Sequence, residues 1–226
     1  MKIIEPYIEV PPFNGVQILK NIERAGRVCY KSEDKITAGS FDPFVQKIMS
    51  LGHHSIFEHE KITVRIVCDR GVTHEIVRHR LAAYSQESTR YCNYSQDKFG
   101  REITVINPFF FNDRQNPLGK YALWKQACEF AESSYFSLLD CGVSPQEARS
   151  VLPNSLKTEI VVTYNLREWA HFFNLRADGA AHPQMRQIAI PLLQLFKKEL
   201  DPLFNDIDYV HNFNPDNYAE IKWMES

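Results

Sequence analysis

The sequence predicts a mixed α+β fold in which helices dominate, formed by a single domain of residues 1–226. Three observations support this prediction. Apolar residues recur at helical spacing in several segments, two other segments have strand-like composition or alternation, and no repeat, low-complexity tract or Gly/Ser-rich linker marks a domain boundary. A chain of 226 residues is long for one ordinary domain and short for two. We therefore expect one domain, with a core large enough to bury a ligand site.

The N-terminal third is predicted to contain two helices and a strand. Apolar residues follow helical spacing from Leu19 to Cys29, and a shorter apolar helix is predicted from Phe41 to Met49. From Lys61 to Cys68 polar and apolar residues alternate with the period of two that is typical of a half-buried strand. The Asp69-Arg70-Gly71 segment is expected to end that strand.

Two helix starts are marked by local signals in the middle of the chain. Asn116-Pro117 supplies an N-cap and a proline at the first helical position, which predicts a long helix that ends before Gly142. Ser144-Pro145-Gln146-Glu147 has the pattern of a capping box, which predicts a short helix that carries Arg149 on its first turns.

The remaining elements alternate between strand and helix. Residues Thr158 to Tyr164 are rich in β-branched residues and predict a second strand. Asn165-Leu166-Arg167-Glu168 has the capping pattern again and predicts a helix that continues toward Arg176. A final long helix is predicted from Gln184 to Leu200, with a kink at Pro191.

The charge balance argues against polyanionic partners. Lysine and arginine number 26 and aspartate and glutamate 28, so the formal net charge is -2. That charge offers no general attraction for nucleic acid or for an anionic membrane, so we expect neither as a partner. Met1–Pro6 contains a proline and a glutamate where a signal peptide needs an apolar run, and no run reaches membrane-spanning length. We expect a soluble, cytoplasmic protein.

Cysteine and histidine spacing predicts neither disulfides nor a metal site. The five cysteines are odd in number and form no C-x-x-C pair, so we expect reduced, mostly buried thiols. Five histidines occur between residues 53 and 79, near the carboxylates of Glu58 and Glu75, but no H-E-x-x-H or comparable pairing is present. We therefore predict no bound metal.

Residues 78 to 94 have the composition of a ligand-binding segment. Three arginines, three tyrosines and two serines are concentrated there. Residues two apart on a helix do not face each other, so Arg78 and Arg80 reach one ligand only where the helix ends or unwinds. In an extended or irregular stretch Ser88 and Arg90 point the same way, and a hydroxyl beside a guanidinium suits phosphate oxygens. A solvated basic patch is the alternative interpretation of Arg78-His79-Arg80.

Four motifs decide between these interpretations. Arg78-His79-Arg80, seven residues and then Ser88-x-Arg90 resemble the signature of the flavin-dependent thymidylate synthase family. The Gly52–His59 segment, Asn165-x-Arg167 and Asn174-Leu175-Arg176-Ala177 are similar to further motifs of that family and follow in the same order. The resemblance implies a fold of that family, with a central, mainly antiparallel sheet flanked by helices, in a homotetramer.

The resemblance also implies the ligands and the residues that bind them. FAD would lie at subunit contacts. The residues implied for FAD are Ser55, Arg78, His79, Arg80, Gln86, Asn165, Leu166, Arg167 and His171. The residues implied for the substrate dUMP are Glu75, Ile76, Val77, Arg78, Gln86, Glu87, Ser88, Thr89, Arg90, Arg149 and Arg176. Glu75 suits a dianionic substrate only if it accepts a hydrogen bond from the ring or the ribose.

The implied reaction is the reductive methylation of dUMP to dTMP. Methylenetetrahydrofolate would donate the carbon, and NADPH would reduce the FAD. Arg176 is the implied catalytic residue, and because a guanidinium stays protonated in proteins, its role would be to stabilise negative charge on the pyrimidine. The absence of G-x-G-x-x-G argues against a Rossmann-type dinucleotide site.

Two other hypotheses remain open at this point. Arg78 to Tyr94 contains both arginines and tyrosines, which also suits a non-catalytic nucleotide- or RNA-binding module. A metal-dependent nucleotide hydrolase built on the histidines would lose activity in a chelator, whereas a flavin-dependent synthase would not.

Overall fold

The fold was analysed in a computed structural model, which describes residues 1–96 and 100–225. It is a mixed α+β structure in which helices dominate, as predicted. The strands are β1 (Lys2–Ile4), β2 (Tyr7–Val10), β3 (Lys61–Asp69), β4 (Ala82–Gln86), β5 (Thr104–Ile106), β6 (Lys157–Asn165) and β7 (Glu220–Trp223). The α-helices are α1 (Gly15–Tyr30), α2 (Phe41–Ser50), α3 (Arg70–Ile76), α4 (Lys120–Asp140), α5 (Pro145–Ala148), α6 (Leu166–Arg176) and α7 (Pro183–Glu199). Short 3-10 turns cover Glu33–Lys35, His54–His59, Arg149–Val151 and Pro215–Asn217.

The strands form two sheets. Five strands are hydrogen-bonded in the order β4-β6-β3-β2-β7, and β1 pairs with β5. The β1–β5 pairing is parallel, with Ile3 opposite Val105, whereas an antiparallel bridge joins Val105 to Leu156. The β-structure is therefore mixed, and the mainly antiparallel arrangement of the central sheet stays a prediction.

The chain divides into two compact units. The first comprises residues 1–7, 65–78 and 85–161, and the second comprises residues 8–64, 79–84 and 162–226. Strands β3 and β6 contribute residues to both units. The single domain of residues 1–226 stays a prediction.

Each unit has its own apolar core. In the first unit Val105, Cys128 and Tyr135 are buried together with Ile103 and Leu156. The core of the second unit is aromatic, with the buried rings of Trp169, Phe172, Phe173, Phe196 and Phe204 in mutual contact. Aromatic pairs at these centroid separations stabilise a core beyond their area burial by about 0.5–1.5 kcal/mol each.

Most of the predicted elements are confirmed. β3, β6, α1, α2, α6 and α7 lie where the sequence predicted them, and Pro191 lies inside α7. The capping box of α5 is present, with Ser144 and Glu147 as its partners. Asp69 does more than end β3, because its side chain accepts a hydrogen bond from the backbone N–H of Val72 at 2.7 Å and so caps α3.

The predicted start of the long helix is wrong. α4 begins at Lys120, not after Asn116, and the side chain of Asp113 accepts hydrogen bonds from the backbone N–H groups of Lys120 and Tyr121 at 2.7 and 3.0 Å. Asn116 instead accepts a hydrogen bond from the N–H of Leu118 at 3.1 Å, which closes a turn before the helix. A cap seven residues distant in sequence replaces the local one.

The cysteines are unpaired, but fewer are buried than predicted. Cys68 and Cys128 are buried and Cys92 is half-buried, whereas Cys29 and Cys141 are exposed. Among the residues described, none of the helices is both long and apolar enough to span a lipid bilayer.

Candidate functional site

The residues predicted to bind ligands fall in both units. The first unit holds Glu75, Ile76, Val77, Arg78, Gln86, Glu87, Ser88, Thr89, Arg90 and Arg149. The second unit holds Ser55, His79, Arg80, Asn165, Leu166, Arg167, His171 and Arg176. Most residues implied for dUMP therefore lie in the first unit, and most residues implied for FAD lie in the second.

The Arg78-His79-Arg80 part of the signature directly follows the end of α3. The helix ends at Ile76, which is fully buried, and Val77 and Arg78 follow as exposed residues. The backbone N–H of Arg78 donates to the carbonyl of Glu75 at 3.3 Å, which closes the last turn. The helix ends before Arg78 and Arg80, so the geometric condition for both arginines to reach one ligand is met. Because the Ile76 side chain lies in the core, only its backbone is available to a ligand.

The side chains of Gln86 and Glu87 already have protein partners. The amide nitrogen of Gln86 donates to the hydroxyl oxygens of Thr73 and Thr158 at 2.9 and 3.3 Å. The Glu87 carboxylate accepts hydrogen bonds from the Tyr94 hydroxyl at 3.2 Å and from Nζ of Lys157 at 3.0 Å. These contacts fix the end of β4.

Lys157 connects two carboxylates. Its ammonium pairs with Glu87 and with Glu159, and Glu159 also pairs with Arg65. Burial alone would lower the pKa of Lys157, but the hydrogen bond that Lys157 donates to Glu159 and the charge of Glu87 raise this pKa above its usual value. Burial and the Glu87 carboxylate raise the pKa of Tyr94, so its hydroxyl keeps its proton. Lys157 and Glu159 carry no local signal in the sequence, because their ion pairs depend on the folded sheet.

Residues 88–90 form an irregular turn. The backbone N–H of Arg90 donates to the hydroxyl of Ser88 at 3.2 Å, and the N–H of Cys92 donates to the carbonyl of Ser88 at 2.9 Å. Thr89 is buried, and its hydroxyl accepts a hydrogen bond from Nη1 of Arg149 at 3.3 Å. Arg90 is exposed, and its guanidinium lies 5.5 Å from the ring centroid of Tyr91. The turn is consistent with the predicted irregular stretch, and it brings Arg149 to the segment that carries Ser88 and Arg90.

In the second unit, α6 begins with a side-chain cap. The Asn165 side chain accepts a hydrogen bond from the backbone N–H of Glu168 at 2.8 Å, as the capping pattern predicted. Leu166 is buried, and its N–H donates to the carbonyl of Glu60 at 3.0 Å. The Glu168 carboxylate turns away from the cap and contacts His79 instead. Glu168 and His171 are three residues apart and lie on the same side of α6, and Arg176 follows five residues later at the end of the helix.

His79 is the centre of this cluster. Its side chain is buried, with 2% exposed, and its Nδ1 lies 3.1 Å from Oε1 of Glu168. Nε of Arg176 donates a hydrogen bond to its Nε2 at 3.3 Å. The rings of His171 and Phe172 pack against it with centroids 5.3 and 5.2 Å away.

The surroundings keep His79 neutral. Burial, followed by the charge of Arg176 and of His171, lowers the pKa of His79 to about 4. Burial raises the pKa of Glu168, and His171 opposes that shift. At neutral pH the imidazole is therefore uncharged.

Two tyrosines fix the backbone at His79. The Tyr84 hydroxyl donates to the carbonyl oxygen of His79, and the hydroxyls of Tyr84 and Tyr164 lie 2.9 Å apart. Tyr164 is fully buried, and burial raises its pKa. The start of β4 is therefore tied to β6 by side chains as well as by the strand pairing.

The other residues implied for FAD are exposed. Ser55 lies in the 3-10 turn His54–His59, and Arg80 follows His79 on the surface. Nη1 of Arg167 lies 2.6 Å from Oε1 of Glu58, which comes from the Gly52–His59 motif. This ion pair connects two of the four motifs.

The fold brings together histidine and acidic side chains, but they are not the ones that are close in sequence. Ligand atoms of His79, Glu168 and His171 all lie within 4.8 Å of one another. His53 contacts the Tyr30 hydroxyl at 3.0 Å, and His54, His59 and His74 are exposed. The guanidinium of Arg176 contacts His79, and its positive charge would repel a bound cation. The absence of a bound metal stays a prediction.

Comparison with known proteins identifies the family. A family model described as thymidylate synthase complementing protein matches residues 17–201 of the chain. The chain belongs to this family. All the residues predicted to bind ligands, from Ser55 to Arg176, lie inside the matched segment. The resemblance seen in the four motifs is thereby confirmed.

Named members of the family extend the match. The flavin-dependent thymidylate synthase of Geobacter sulfurreducens is 39% identical over 189 residues, which is 80% of this chain and 78% of that protein. The flavin-dependent thymidylate synthase of Pyrococcus furiosus is 36% identical over 172 residues, covering 76% of this chain and 68% of that protein. The protein of the same description from Corynebacterium diphtheriae is 34% identical over 203 residues, covering 83% and 78%.

Proposed function

We propose that the chain is a flavin-dependent thymidylate synthase that converts dUMP to dTMP. The observation that carries this proposal is the family match over residues 17–201, which contains the complete Arg78-His79-Arg80 and Ser88-x-Arg90 signature. The relatives with that description cover most of the chain. We also expect the enzyme to act in the cytoplasm.

The donor chemistry of the second unit fits FAD. Arg80 and Arg167 present exposed guanidinium groups, which suit pyrophosphate oxygens because they donate in pairs. His79 adds a buried neutral imidazole. We propose Ser55, Arg78, His79, Arg80, Gln86, Asn165, Leu166, Arg167 and His171 as the FAD-binding residues. Asn165 and Leu166 have their Oδ1 atom and backbone N–H in use, so their remaining groups would contact FAD.

The first unit offers the groups that a nucleoside monophosphate needs. Ser88 and Arg90 lie in one turn, and Arg149 reaches the same turn through Thr89. We propose that Ser88, Arg90 and Arg149 hold the phosphate, with Glu75, Ile76, Val77, Arg78, Gln86, Glu87 and Thr89 as the other contacts in this unit. Because the carboxylate of Glu87 and the amide nitrogen of Gln86 have protein partners, we expect these two residues to act mainly through their remaining polar groups.

Arg176 is the proposed catalytic residue. Bound FAD, once reduced by NADPH, supplies the reducing equivalents, and methylenetetrahydrofolate supplies the carbon that becomes the methyl group on C5 of dUMP. Arg176 stabilises the negative charge that develops on the pyrimidine. It cannot act as a base because its guanidinium stays protonated.

We also propose that the enzyme is a homotetramer. Leu123, Ala127 and Phe130 follow each other at helical spacing on α4 and are all exposed, and Leu123 and Phe130 expose 61% and 76% of their surface. An exposed apolar stripe on a helix is typical of a subunit contact. Light scattering of the purified protein tests this assembly, and a monomer at micromolar concentration would contradict it.

The function is tested by a spectrum and a product assay. The purified protein should absorb as a flavoprotein or take up FAD on titration. After anaerobic reduction by NADPH, addition of dUMP and methylenetetrahydrofolate should yield dTMP, and a chelator should leave that yield unchanged. A protein that binds dUMP but takes up no FAD and forms no dTMP would be a nucleotide-binding module, and the proposal would be wrong.

A further inference from the structure

We propose that Glu168 is a positioning residue that selects the tautomer of His79 and, through it, orients the guanidinium of Arg176. The effect on catalysis rests on the proposed function, whereas the effect on the tautomer does not. None of the four motifs contains Glu168, since Asn165-x-Arg167 ends just before it.

The two hydrogen bonds of His79 define its tautomer. Nε of Arg176 carries one hydrogen and has no acceptor capacity, so the Nε2 atom that it approaches at 3.3 Å must present its lone pair. The proton of the neutral ring is then on Nδ1, which donates to Oε1 of Glu168 at 3.1 Å. Glu168, His79 and Arg176 form a chain of hydrogen bonds in which each donor meets an acceptor.

The opposite tautomer would break this chain at both ends. With the proton on Nε2, the N–H groups of His79 and Arg176 would point at each other. The lone pair of Nδ1 would then face the Glu168 carboxylate. Both contacts are repulsive, and the carboxylate is what makes the observed tautomer the favoured one.

Burial makes this selection effective. The side chains of His79 and Glu168 are 2% and 8% exposed, so water cannot replace a lost partner easily. Among residues 1–96 and 100–225, the charged or titratable groups around the His79 ring are Glu168, His171 and Arg176 from α6, with the hydroxyls of Tyr84 and Tyr164 nearby. With the imidazole neutral, the negative charge of Glu168 balances the positive charge of Arg176 across it.

The two ends of the chain lie on one helix. Glu168 and Arg176 are eight residues apart on α6, which is slightly more than two turns, and His79 bridges the distance between them. Arg176 is the last residue of α6. The hydrogen bond from its Nε to His79 restricts the rotation of the guanidinium. A guanidinium held in place in advance stabilises a developing negative charge without reorganising during the reaction.

The experiment compares the variant Glu168→Gln with a control variant, Glu220→Gln, in which the same replacement is made elsewhere. Glu220 is exposed and pairs only with Lys222 in the contacts described, so its substitution removes a carboxylate of the same unit outside the site. A glutamine at position 168 both accepts and donates, so it no longer selects one tautomer. We expect kcat for dTMP formation to fall about 10- to 100-fold in E168Q, because small misplacements of a catalytic group have effects of that size. KM for dUMP, FAD content and thermal stability should change little, and E220Q should behave as the unsubstituted enzyme.

The tautomer is measured directly on protein labelled with 15N-histidine. The His79 signals are assigned by their loss in His79→Gln, and coupling to the ring protons tells the protonated nitrogen from the unprotonated one. We expect the proton on Nδ1 in the unsubstituted enzyme and a mixture of tautomers in E168Q. If E168Q does not fold, Glu168→Asp gives the same comparison, with an intermediate loss of kcat because its shorter carboxylate moves away from Nδ1.

Three results would overturn the proposal. A proton on Nε2 of His79 in the unsubstituted enzyme would exclude the hydrogen-bond chain. An E168Q variant with unchanged tautomer and unchanged kcat would show that Glu168 selects nothing. A loss of kcat in E168Q that is fully explained by loss of FAD would indicate a structural role. If the unsubstituted enzyme forms no dTMP, the proposed function fails, and the NMR comparison alone decides about Glu168.

Discussion

Nζ of Lys157 lies 3.0 Å from the Oε2 atom of Glu87, and the two side chains are 19% and 14% exposed. Lys157 also pairs with Glu159, so one half-buried ammonium contacts two carboxylates. Glu159 lies on β6, and Glu87 directly follows the neighbouring strand β4. A carboxylate beside residues proposed to bind a phosphate repels it unless a cation compensates its charge. Lys157 supplies that cation.

Replacing Lys157 with methionine should therefore weaken both the fold and dUMP binding. Removing the half-buried ammonium leaves the charge of Glu87 uncompensated and leaves Glu159 paired with Arg65 alone. We therefore expect a loss of about 1–3 kcal/mol in the free energy of unfolding. KM for dUMP should rise. Urea unfolding and steady-state kinetics measure the two effects. Lys125→Met is the matched control, because Lys125 and Glu129 form an exposed pair on α4. Equal effects in both variants would mean that the position of Lys157 has no special role.

Replacing Trp169 with phenylalanine should destabilise the second unit. Trp169 is fully buried, and its Nε1–H donates to the carbonyl of Ile62 at 3.1 Å. Phenylalanine removes volume from the aromatic core and loses the hydrogen bond to that carbonyl, with an expected cost of about 2–4 kcal/mol. Trp223→Phe removes an indole that is 49% exposed and should cost less than about 1 kcal/mol. Similar midpoints of thermal unfolding for the two variants would contradict this prediction.

Signals that are local in sequence predicted the larger elements. The alternation in β3, the β-branched run in β6 and the caps at Ser144 and Asn165 act over a few residues, so each is visible without the fold. β4 was not predicted, because the Ala82–Gln86 segment has neither a β-branched run nor a buried face, and it lies at the end of the strand order. Asn116 was given the role of a cap that Asp113 performs.

The ligand-binding motifs were visible in the sequence, but their internal partners were not. Arg78-His79-Arg80 and Ser88-x-Arg90 are recognised by spacing alone. The contact of His79 with Glu168 joins residues 89 positions apart, and that of Lys157 with Glu87 joins residues 70 apart. Only the folded chain brings them together. The sequence assigned Glu168 to a capping box, whereas its carboxylate contacts His79.

Replacing Arg90 with lysine should raise KM for dUMP. Arg90 is exposed, and its backbone N–H donates to the Ser88 hydroxyl. The two parallel N–H groups of a guanidinium bind a phosphate better than the point charge of lysine. Loss of one charge-assisted hydrogen bond corresponds to about a 10- to 100-fold rise in KM. Arg101→Lys is the control, since Arg101 is exposed and pairs with Asp140 in the same unit. An unchanged KM in R90K would exclude Arg90 from the phosphate site.

Replacing Arg176 with alanine should lower the rate of dTMP formation strongly and leave FAD bound. Removing one donor to a developing negative charge lowers the rate by about 10²- to 10³-fold. The absorbance of bound flavin and the rate of dTMP formation are measured in the same preparation. If Arg176→Ala loses FAD and excess FAD restores dTMP synthesis, Arg176 is a flavin-binding residue and not the catalytic one.

The depressed pKa of His79 should make the flavin-free protein less stable as the pH falls. The folded-state pKa is about 4, below the usual 6.5, because the native environment disfavours the charged ring. Between these two values the unfolded chain binds a proton that the folded chain does not, so the stability is complete above pH 6.5 and decreases as the pH falls toward 4. At pH 5 the loss from His79 amounts to about 2 kcal/mol, or roughly 4–8 °C in Tm.

His79→Gln should remove this part of the pH dependence, although the raised pKa of Glu168 acts in the opposite direction and partly offsets it. In Arg176→Ala the loss of stability between pH 7.5 and 5 should be smaller, because removing the guanidinium lets the pKa of His79 rise toward its usual value. If Tm falls equally between pH 7.5 and 5 in the unsubstituted protein and in His79→Gln, the imidazole is not held neutral by its surroundings.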